Sequence, residues 1–119
     1  MASYFWIAIG SALGGVARYW CSGVAARLIG ETFPWGTIIV NIVGSFIIGF
    51  FATLTGPDGR IFADTLTRQF VMIGFCGGYT TFSSFSLQTL ALLQDGEWLL
   101  ASANIALSVI ACLLAVWTG

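Results

Sequence analysis

The charged residues of this chain are so few, and so distributed, that they leave four long apolar segments. With four basic and five acidic residues, charged side chains make up 8% of the sequence, against about 25% in soluble domains. Each segment contains the roughly 20 residues that a transmembrane helix needs. The sequence therefore predicts an all-α membrane protein, a single domain of residues 1–119 with transmembrane helices at 4–26, 35–55, 69–94 and 98–117.

The ends of these segments carry recognisable signals. The first segment lacks the basic start of a cleavable signal peptide and is too long for its apolar region, so we expect it to remain in the mature protein. Turns are predicted in the connection 27–34, at 56–59 (GPDG) and at Asp95-Gly96. A polar stretch after residue 59 runs to Arg68, and the third helix can begin within it.

The third segment contains a sequence that disfavours an uninterrupted helix. Residues 74–86 read GFCGGYTTFSSFS. Each glycine costs about 1 kcal/mol relative to alanine in a helix, and threonine is restricted at χ1. A break at membrane depth is tolerated only where the freed backbone groups are buried or line a polar cavity, and such breaks bind ions in transport proteins. We therefore predict a third helix broken in mid-membrane and a pore beside it.

Composition argues against several other classes of function. The net charge is −1 and the chain has no lysine and no cluster of basic residues, so nucleic acid is not an expected partner. Histidine is absent, which removes the usual catalytic base and metal ligand, and no serine or threonine has an evident activating partner. The three cysteines lack metal-ligand spacing and are expected to be small buried hydrophobic residues. An enzyme is not predicted.

Polar and aromatic residues inside the apolar segments are the candidates for a pore. Arg18 is either an interfacial anchor or a fixed positive charge at a vestibule. Asn41 either bonds to another helix or coordinates an anion through its amide donors. Phe82 and Phe85, three residues apart, share one helical face, and their positive ring edges can stabilise an anion. In the last segment Asn104, Ser108 and Cys112 form a weakly polar stripe.

The orientation in the membrane is left open by the positively charged residues. With four spans, Arg60 and Arg68 lie on one side, and Arg27, with Arg18 a little deeper, on the other. This is almost no bias under the positive-inside rule. Either cellular factors set one topology, or copies insert both ways and pair as an antiparallel dimer. The spacings Gly10-xxx-Gly14 and Ser45-xxx-Gly49 permit close helix contacts.

Taken together, three motifs make the chain closely resemble the small fluoride-channel family known as CrcB or Fluc. The resemblance covers essentially the whole chain. The motif at 74–86 is the most specific, and the order and spacing of all three strengthen the match. The other two are 14–19 (GGVARY) and 36–45 (GTIIVNIVGS).

The resemblance implies an antiparallel, dual-topology homodimer in the bacterial inner membrane, with two narrow fluoride-selective pores along its interface. It implies passive export of fluoride, and hence fluoride resistance, with no organic cofactor. The backbone carbonyls of Gly77 and Thr80 would hold a structural Na⁺ at the dimer axis. Arg18 is the family's motif arginine. The fluoride pathway would comprise Asn41, Phe82 and Phe85, with a polar track of Thr81, Ser84, Asn104 and Ser108.

Two positions depart from the pattern of the family. Gln88 stands where a member has glutamate, which puts a role for that carboxylate in doubt. Asn104 stands where it has tyrosine, so the inner end of the polar track differs.

Two other kinds of protein share part of the pattern. A small proton-coupled multidrug exporter has similar size and spans, but it needs a membrane-embedded carboxylate, and all five acidic residues lie in or beside loops. A non-transporting assembly subunit explains the hydrophobicity but not the Thr/Ser/Phe run. Release of fluoride from liposomes separates the three.

Overall fold

In the computed structural model, which describes residues 2–30, 33–56 and 59–119, the chain is a bundle of helices. α1 spans Ala2–Ile29 and α2 spans Trp35–Leu54. The run 65–79, here called α3, consists of Thr65–Arg68, a π-helical stretch Gln69–Cys76, and Gly77–Tyr79. After a non-helical stretch at 80–82, α4 spans Ser83–Gln94 and α5 spans Trp98–Thr118. No strand occurs among these residues.

Within the described residues, three helical stretches are long and apolar enough to cross a membrane, namely Trp35–Leu54, Thr65–Gln94 and Trp98–Thr118. α1 is not among them, although its 28 residues make it about 42 Å long. Arg18 and Arg27, together with several serines and glycines, lower its hydropathy. The all-helical fold class is thus confirmed. Three of the four predicted spans coincide with helices that could cross a membrane by length and composition, and the spans themselves stay predictions.

The helix boundaries differ slightly from the predicted ones. α1 extends beyond 4–26 at both ends, and the third stretch begins at Thr65, four residues before the predicted start at residue 69. The Asp64 carboxylate explains this early start, because it accepts a hydrogen bond of 2.8 Å from the Thr67 N–H and so caps the helix. The predicted turn at Asp95-Gly96 is confirmed, with Gly96 at a φ of 77°.

Two other predicted connections lie partly outside the described residues. The predicted turn at 56–59 includes Pro57 and Asp58, and the connection 27–34 includes residues 31 and 32. Within the described part of the latter, Gly30 has a φ of 104°, in the left-handed region that glycine adopts without strain.

The small-residue spacing in α1 serves packing within the chain. A Cβ on Gly10 would lie 2.6 Å from the Phe70 carbonyl oxygen, and one on Gly14 would overlap the Phe75 carbonyl oxygen. From the other side, a Cβ on Gly74 would lie 3.0 Å from the Ile7 carbonyl oxygen. The backbones of α1 and α3 are therefore in direct contact. Gly49 plays the same part between α2 and Val116 of α5.

Arg68 joins α2 to the beginning of the third helical stretch. Its Nη1 donates to both the carbonyl oxygen and the hydroxyl of Thr55, at 2.6 and 2.7 Å. Thr55 is the C-cap residue of α2, where a positive charge is favourable to the helix dipole. This contact fixes the end of α2 beside α3, and so helps to position the helices around the site described next.

Candidate functional site

The interruption between α3 and α4 lies at residues 80–82, just after the glycine pair. Thr80 has extended backbone, with φ −82° and ψ 161°. Its N–H and its hydroxyl both donate to the Cys76 carbonyl oxygen at 3.0 Å, which ends α3. The Thr81 hydroxyl accepts a 3.1 Å bond from the Ser84 N–H at the start of α4. The Thr81 hydroxyl thus takes the place of the helical carbonyl acceptor that the Ser84 N–H has lost.

The glycine pair itself remains helical, so the interruption falls in the threonine part of the stretch 74–86. Gly77 has φ −62° and ψ −38°. Gly78 instead provides room for α1, because a Cβ on it would meet the Ser11 carbonyl oxygen. The prediction that this third span is broken in mid-membrane remains a prediction as regards its depth in a bilayer.

Asn41 of α2 binds the interrupted backbone through both atoms of its amide. Its Nδ2 donates to the Thr81 carbonyl oxygen at 3.0 Å, and its Oδ1 accepts from the Thr81 N–H at 2.8 Å. Of the two alternatives left open by the sequence, the bond to another helix is therefore present. Because one Nδ2 hydrogen meets Thr81, a second amide hydrogen remains available to a ligand.

Arg18 bonds to the same region from α1. Its Nε donates to the Gly78 carbonyl oxygen at 3.2 Å, close to the end of α3. A positive charge beside the carbonyl end of a helix is favourable to the helix dipole. The structure therefore gives Arg18 a backbone partner within the protein. Its predicted role as a vestibule charge remains a prediction.

Three carbonyl groups at the interruption, those of Gly77, Tyr79 and Thr80, have no hydrogen-bond donor within the described ranges. Two of them matter for the prediction, namely Gly77 and Thr80. Their usual helical donors are engaged elsewhere, since the Thr81 N–H binds Asn41 and the Ser84 N–H binds the Thr81 hydroxyl. Gly77 is exposed, so its face of the bundle is open in the single chain. These are the two carbonyls that the family resemblance assigns to Na⁺.

A cavity of about 330 Å³ lies beside the interruption. None of its lining residues is charged. It brings together the predicted Asn41, Phe82, Phe85, Thr81 and Ser108, and also Gly77 and Thr80, with six further residues: Gly44, Ser45, Ile48, Cys76, Val109 and Cys112.

Phe82 and Phe85 are neighbours in this wall. Their ring centroids are 5.5 Å apart and the ring planes are tilted by 46°. Phe82 is 78% exposed in the single chain, whereas Phe85 is half-buried. The pair therefore presents aromatic surface both to the cavity and to the outside of the bundle.

Some residues of the predicted polar track line the cavity, and Asn104 is instead buried between helices. Asn104 is only 1% exposed and does not line the cavity. Its Nδ2 donates to the Thr89 hydroxyl at 2.9 Å, and its Oδ1 accepts from the Ser108 hydroxyl at 3.3 Å. The Thr89 hydroxyl in turn donates to the Phe85 carbonyl oxygen at 2.8 Å. Ser108 thus connects a closed network between α4 and α5 to the cavity.

Ser84 also lies outside the lining of the cavity. Its contribution to the interruption is its backbone N–H, which donates to the Thr81 hydroxyl. Thr89 and Gly44 were not anticipated from the sequence. Thr89 lies one helical turn after Phe85, on the same face, which is the only local indication of its position. Gly44 packs against the Thr80 side chain, a contact between residues far apart in sequence.

A second, wider cavity of about 1070 Å³ lies toward the loop side of the bundle. Arg27, Asp95, Trp35 and Gln88 are among its lining residues. The Gln88 Oε1 is buried and has no hydrogen-bond partner in the described part of the chain.

No cluster of three or more His, Cys, Asp or Glu residues able to hold a metal occurs in the described part of the chain. A cation at the interruption would therefore use backbone oxygens, which are the hard ligands that alkali and alkaline-earth cations prefer.

Comparison with known proteins gives consistent matches over nearly the full chain. A family described as "CrcB-like protein, Camphor Resistance (CrcB)" matches residues 5–119. The "Fluoride-specific ion channel FluC" of Rhodospirillum rubrum is 61% identical over 117 residues, covering 98% of this chain and 91% of that protein. Proteins of the same name from Methylocella silvestris and Opitutus terrae are 61% and 60% identical, covering 98% and 100% of this chain and 88% and 90% of theirs.

Proposed function

The chain belongs to the CrcB-like family, and on that premise we propose that it is a fluoride-selective passive ion channel. It is a multi-pass membrane protein and not an enzyme. Fluoride would leave the cytoplasm down its own gradient, and the protein would thereby confer fluoride resistance.

The observation that carries this proposal is the uncharged cavity beside the helix interruption. Its wall combines the Asn41 amide, the Ser108 hydroxyl and the rings of Phe82 and Phe85. Fluoride is small and strongly hydrated, so it enters a dry path only where compact donors replace its water. Amide and hydroxyl groups and ring edges supply partial positive charge without a formal charge that would trap the ion.

Each polar group in the wall has a separate task under this proposal. The second Nδ2 hydrogen of Asn41 would donate to the ion, while its bonds to Thr81 keep the amide oriented. The hydroxyl of Ser108 would act farther along by turning its one hydrogen from the Asn104 Oδ1 to the ion, while Asn104 stays bonded to Thr89. Chloride would be excluded by its size and by the placement of these donors.

A structural Na⁺ fits the residues at the interruption. The carbonyl oxygens of Gly77 and Thr80 have no donors within the described ranges, and unpaired carbonyls suit a hard cation. The bound ion would supply fixed positive charge that favours anions nearby. We expect fluoride flux and dimer stability to decrease when Na⁺ is replaced by N-methylglucamine on both sides; equal flux and equal dimer content in the two cations would contradict the Na⁺ proposal.

An antiparallel homodimer accounts for the surfaces that the single chain leaves open. Phe82 and Ile73 are 78% and 57% exposed, and Gly77 lies exposed between them in sequence. A second copy would cover the open carbonyls and close the cavity into a path. Exposed apolar side chains also face lipid in any membrane protein, so the test must be direct.

Fluoride efflux from liposomes tests the proposed function. Purified protein is reconstituted, external fluoride is removed, and release is followed with a fluoride electrode. Wild-type protein should release fluoride rapidly and leave chloride trapped, whereas empty liposomes should retain both. A multidrug exporter or an assembly subunit would release no fluoride, and that outcome would overturn the proposal.

A further inference from the structure

Two of the three cysteines of the chain line the uncharged cavity. Cys76, near the end of α3, is 2% exposed, and Cys112, on α5, is half-buried. The third, Cys21, lies on α1 outside this cavity, and its sulfur accepts a 3.3 Å bond from the Tyr79 hydroxyl. From the sequence all three were expected to be small buried hydrophobic residues, which describes Cys76 but not Cys112.

Cys112 is the more accessible of the two thiols in the cavity. It lies one helical turn after Ser108, on the same face of α5, and both residues line the cavity. No hydrogen bond to the Cys112 thiol occurs among the described residues. The cavity's volume of about 330 Å³ leaves room for a small group bonded to this sulfur.

We propose that Cys112 is a site of covalent modification by small, neutral, thiol-directed electrophiles, and that its modification blocks ion passage. The proposal rests on the proposed channel function. Methyl methanethiolsulfonate is a suitable probe. The Cys112 thiolate attacks the reagent's sulfenyl sulfur, a new S–S bond forms, the S–SO₂ bond breaks, and methanesulfinate leaves with the bonding electron pair. The thiol proton passes to water.

The block follows from the nature of the added group. A methylthio group is apolar and has no hydrogen-bond donor, and it would stand beside Ser108 in the wall that must replace the ion's water. The thiol of Cys76 has almost no exposed surface, so it should react far more slowly.

The experiment measures fluoride efflux and intact mass on the same reconstituted sample. Treatment of the wild type should add a methylthio group at Cys112, located by peptide mass because Cys21 is also half-buried, and lower efflux by about tenfold or more, which corresponds to about 1.4 kcal/mol in the barrier. The Cys112→Ser variant should release fluoride at the same rate before and after treatment. Cys21→Ser, the matched control outside the cavity, should be blocked like the wild type.

Three results would overturn the proposal. They are modification of Cys112 with unchanged efflux, block of Cys112→Ser to the same degree as the wild type, and failure of Cys112 to gain mass when unfolded protein does. A failure of the proposed function is distinguishable, because untreated protein would then release no fluoride. In that case the predicted block of efflux is also wrong, while the gain in mass still shows whether Cys112 is a modification site.

Discussion

At the scale of single residues, the polar side chains at the interruption serve the protein backbone. Arg18 and Asn41 were recognised from sequence as unusual residues in apolar segments, and both positions are adjacent to the interruption. Their partners were not predictable locally, because they lie 60 and 40 residues away. Asn104 was assigned to an ion track, yet it is buried and bonded to Thr89. Residue type predicts that a polar group needs a partner, but only the fold identifies that partner.

Asn41→Asp should lower fluoride efflux by about tenfold or more. The aspartate loses the donor to the Thr81 carbonyl oxygen, and a buried unpaired carbonyl costs about 1–3 kcal/mol. It also places negative charge beside the permeant anion. Efflux from liposomes measures the effect, with Thr53→Ala, exposed on the same helix, as a control that should behave as wild type. Wild-type efflux from Asn41→Asp would remove Asn41 from the pathway.

Phe82→Ile should also reduce efflux, by removing a ring edge while keeping an apolar side chain of similar bulk. Phe62→Ile is the matched control, because Phe62 is 91% exposed and lies away from the cavity. Both variants are reconstituted at equal density and compared in the same efflux assay. If the Phe82 variant conducts as fast as the Phe62 variant, the ring at position 82 plays no part in conduction.

At the scale of elements, the third helical stretch combines three local structures. Its π-helical part, Gln69–Cys76, lies against the glycines of α1, where the two backbones touch. Its last turn ends at Thr80, and α4 then starts from the Thr81 cap. The glycine and threonine composition predicted an interruption in this region. It did not predict the π-helical geometry of the part that contacts α1.

Gly44→Ala should displace the interruption from α2. A Cβ at Gly44 would overlap the Thr80 Cγ2, and overpacking of this kind costs about 1–3 kcal/mol. We expect a lower melting temperature in detergent and reduced efflux. Gly23→Ala is the control, since no atom lies near its added Cβ. Adding Thr80→Ser removes the overlapping methyl group but keeps the hydroxyl that bonds to Cys76, so it should restore part of the loss. A Gly44→Ala protein as stable as Gly23→Ala would contradict this contact.

Asp64 should make the start of α3 sensitive to acid. Hydrogen bonds from the side chain and the backbone N–H of Thr67 hold the pKa of this carboxyl below its ordinary value of 3.8. Because the pKa of Asp64 is lower in the folded chain than in the unfolded chain, the carboxylate stabilises the fold at every pH above the unfolded-state pKa. This stabilisation is lost as the pH falls through the folded-state pKa. Asn caps helices as well as Asp does. The melting-temperature difference between wild type and Asp64→Asn should therefore disappear in acid; a difference independent of pH would argue against this charge effect.

At the scale of the whole molecule, the sequence predicted the helical class and most helix boundaries, because both follow from where the charges and turn residues stand. It was least informative where packing decides. α1 lacks the hydropathy of the other spans, yet its glycines place it in backbone contact with α3. The cavity brings together residues from α2, α3, α4 and α5. The only feature of the sequence that pointed to Cys112 as a lining residue was its spacing of four residues from Ser108. The dimer and its topology stay predictions.

Both orientations in the membrane should be populated by the wild type. Arg60 and Arg68 on one side balance Arg27 and Arg18 on the other, so neither orientation is favoured by charge. Labelling of a single terminal tag from each side of the membrane should find both populations. Glu97→Lys and Ile61→Lys add positive charge to opposite sides and should shift the populations in opposite directions. One orientation for all three proteins would exclude a dual-topology dimer.

The pair of bonds between Asn41 and Thr81 also limits how this protein can move. One hydrogen bond acts as a hinge, but two bonds from one amide to the N–H and the C=O of the same residue resist both sliding and rotation. The middle of α2 and the first turn of α4 should therefore shift as one rigid unit. Any opening or closing motion must then come from parts that no such pair of hydrogen bonds holds, such as the half-buried ring of Phe85 or the far end of α5.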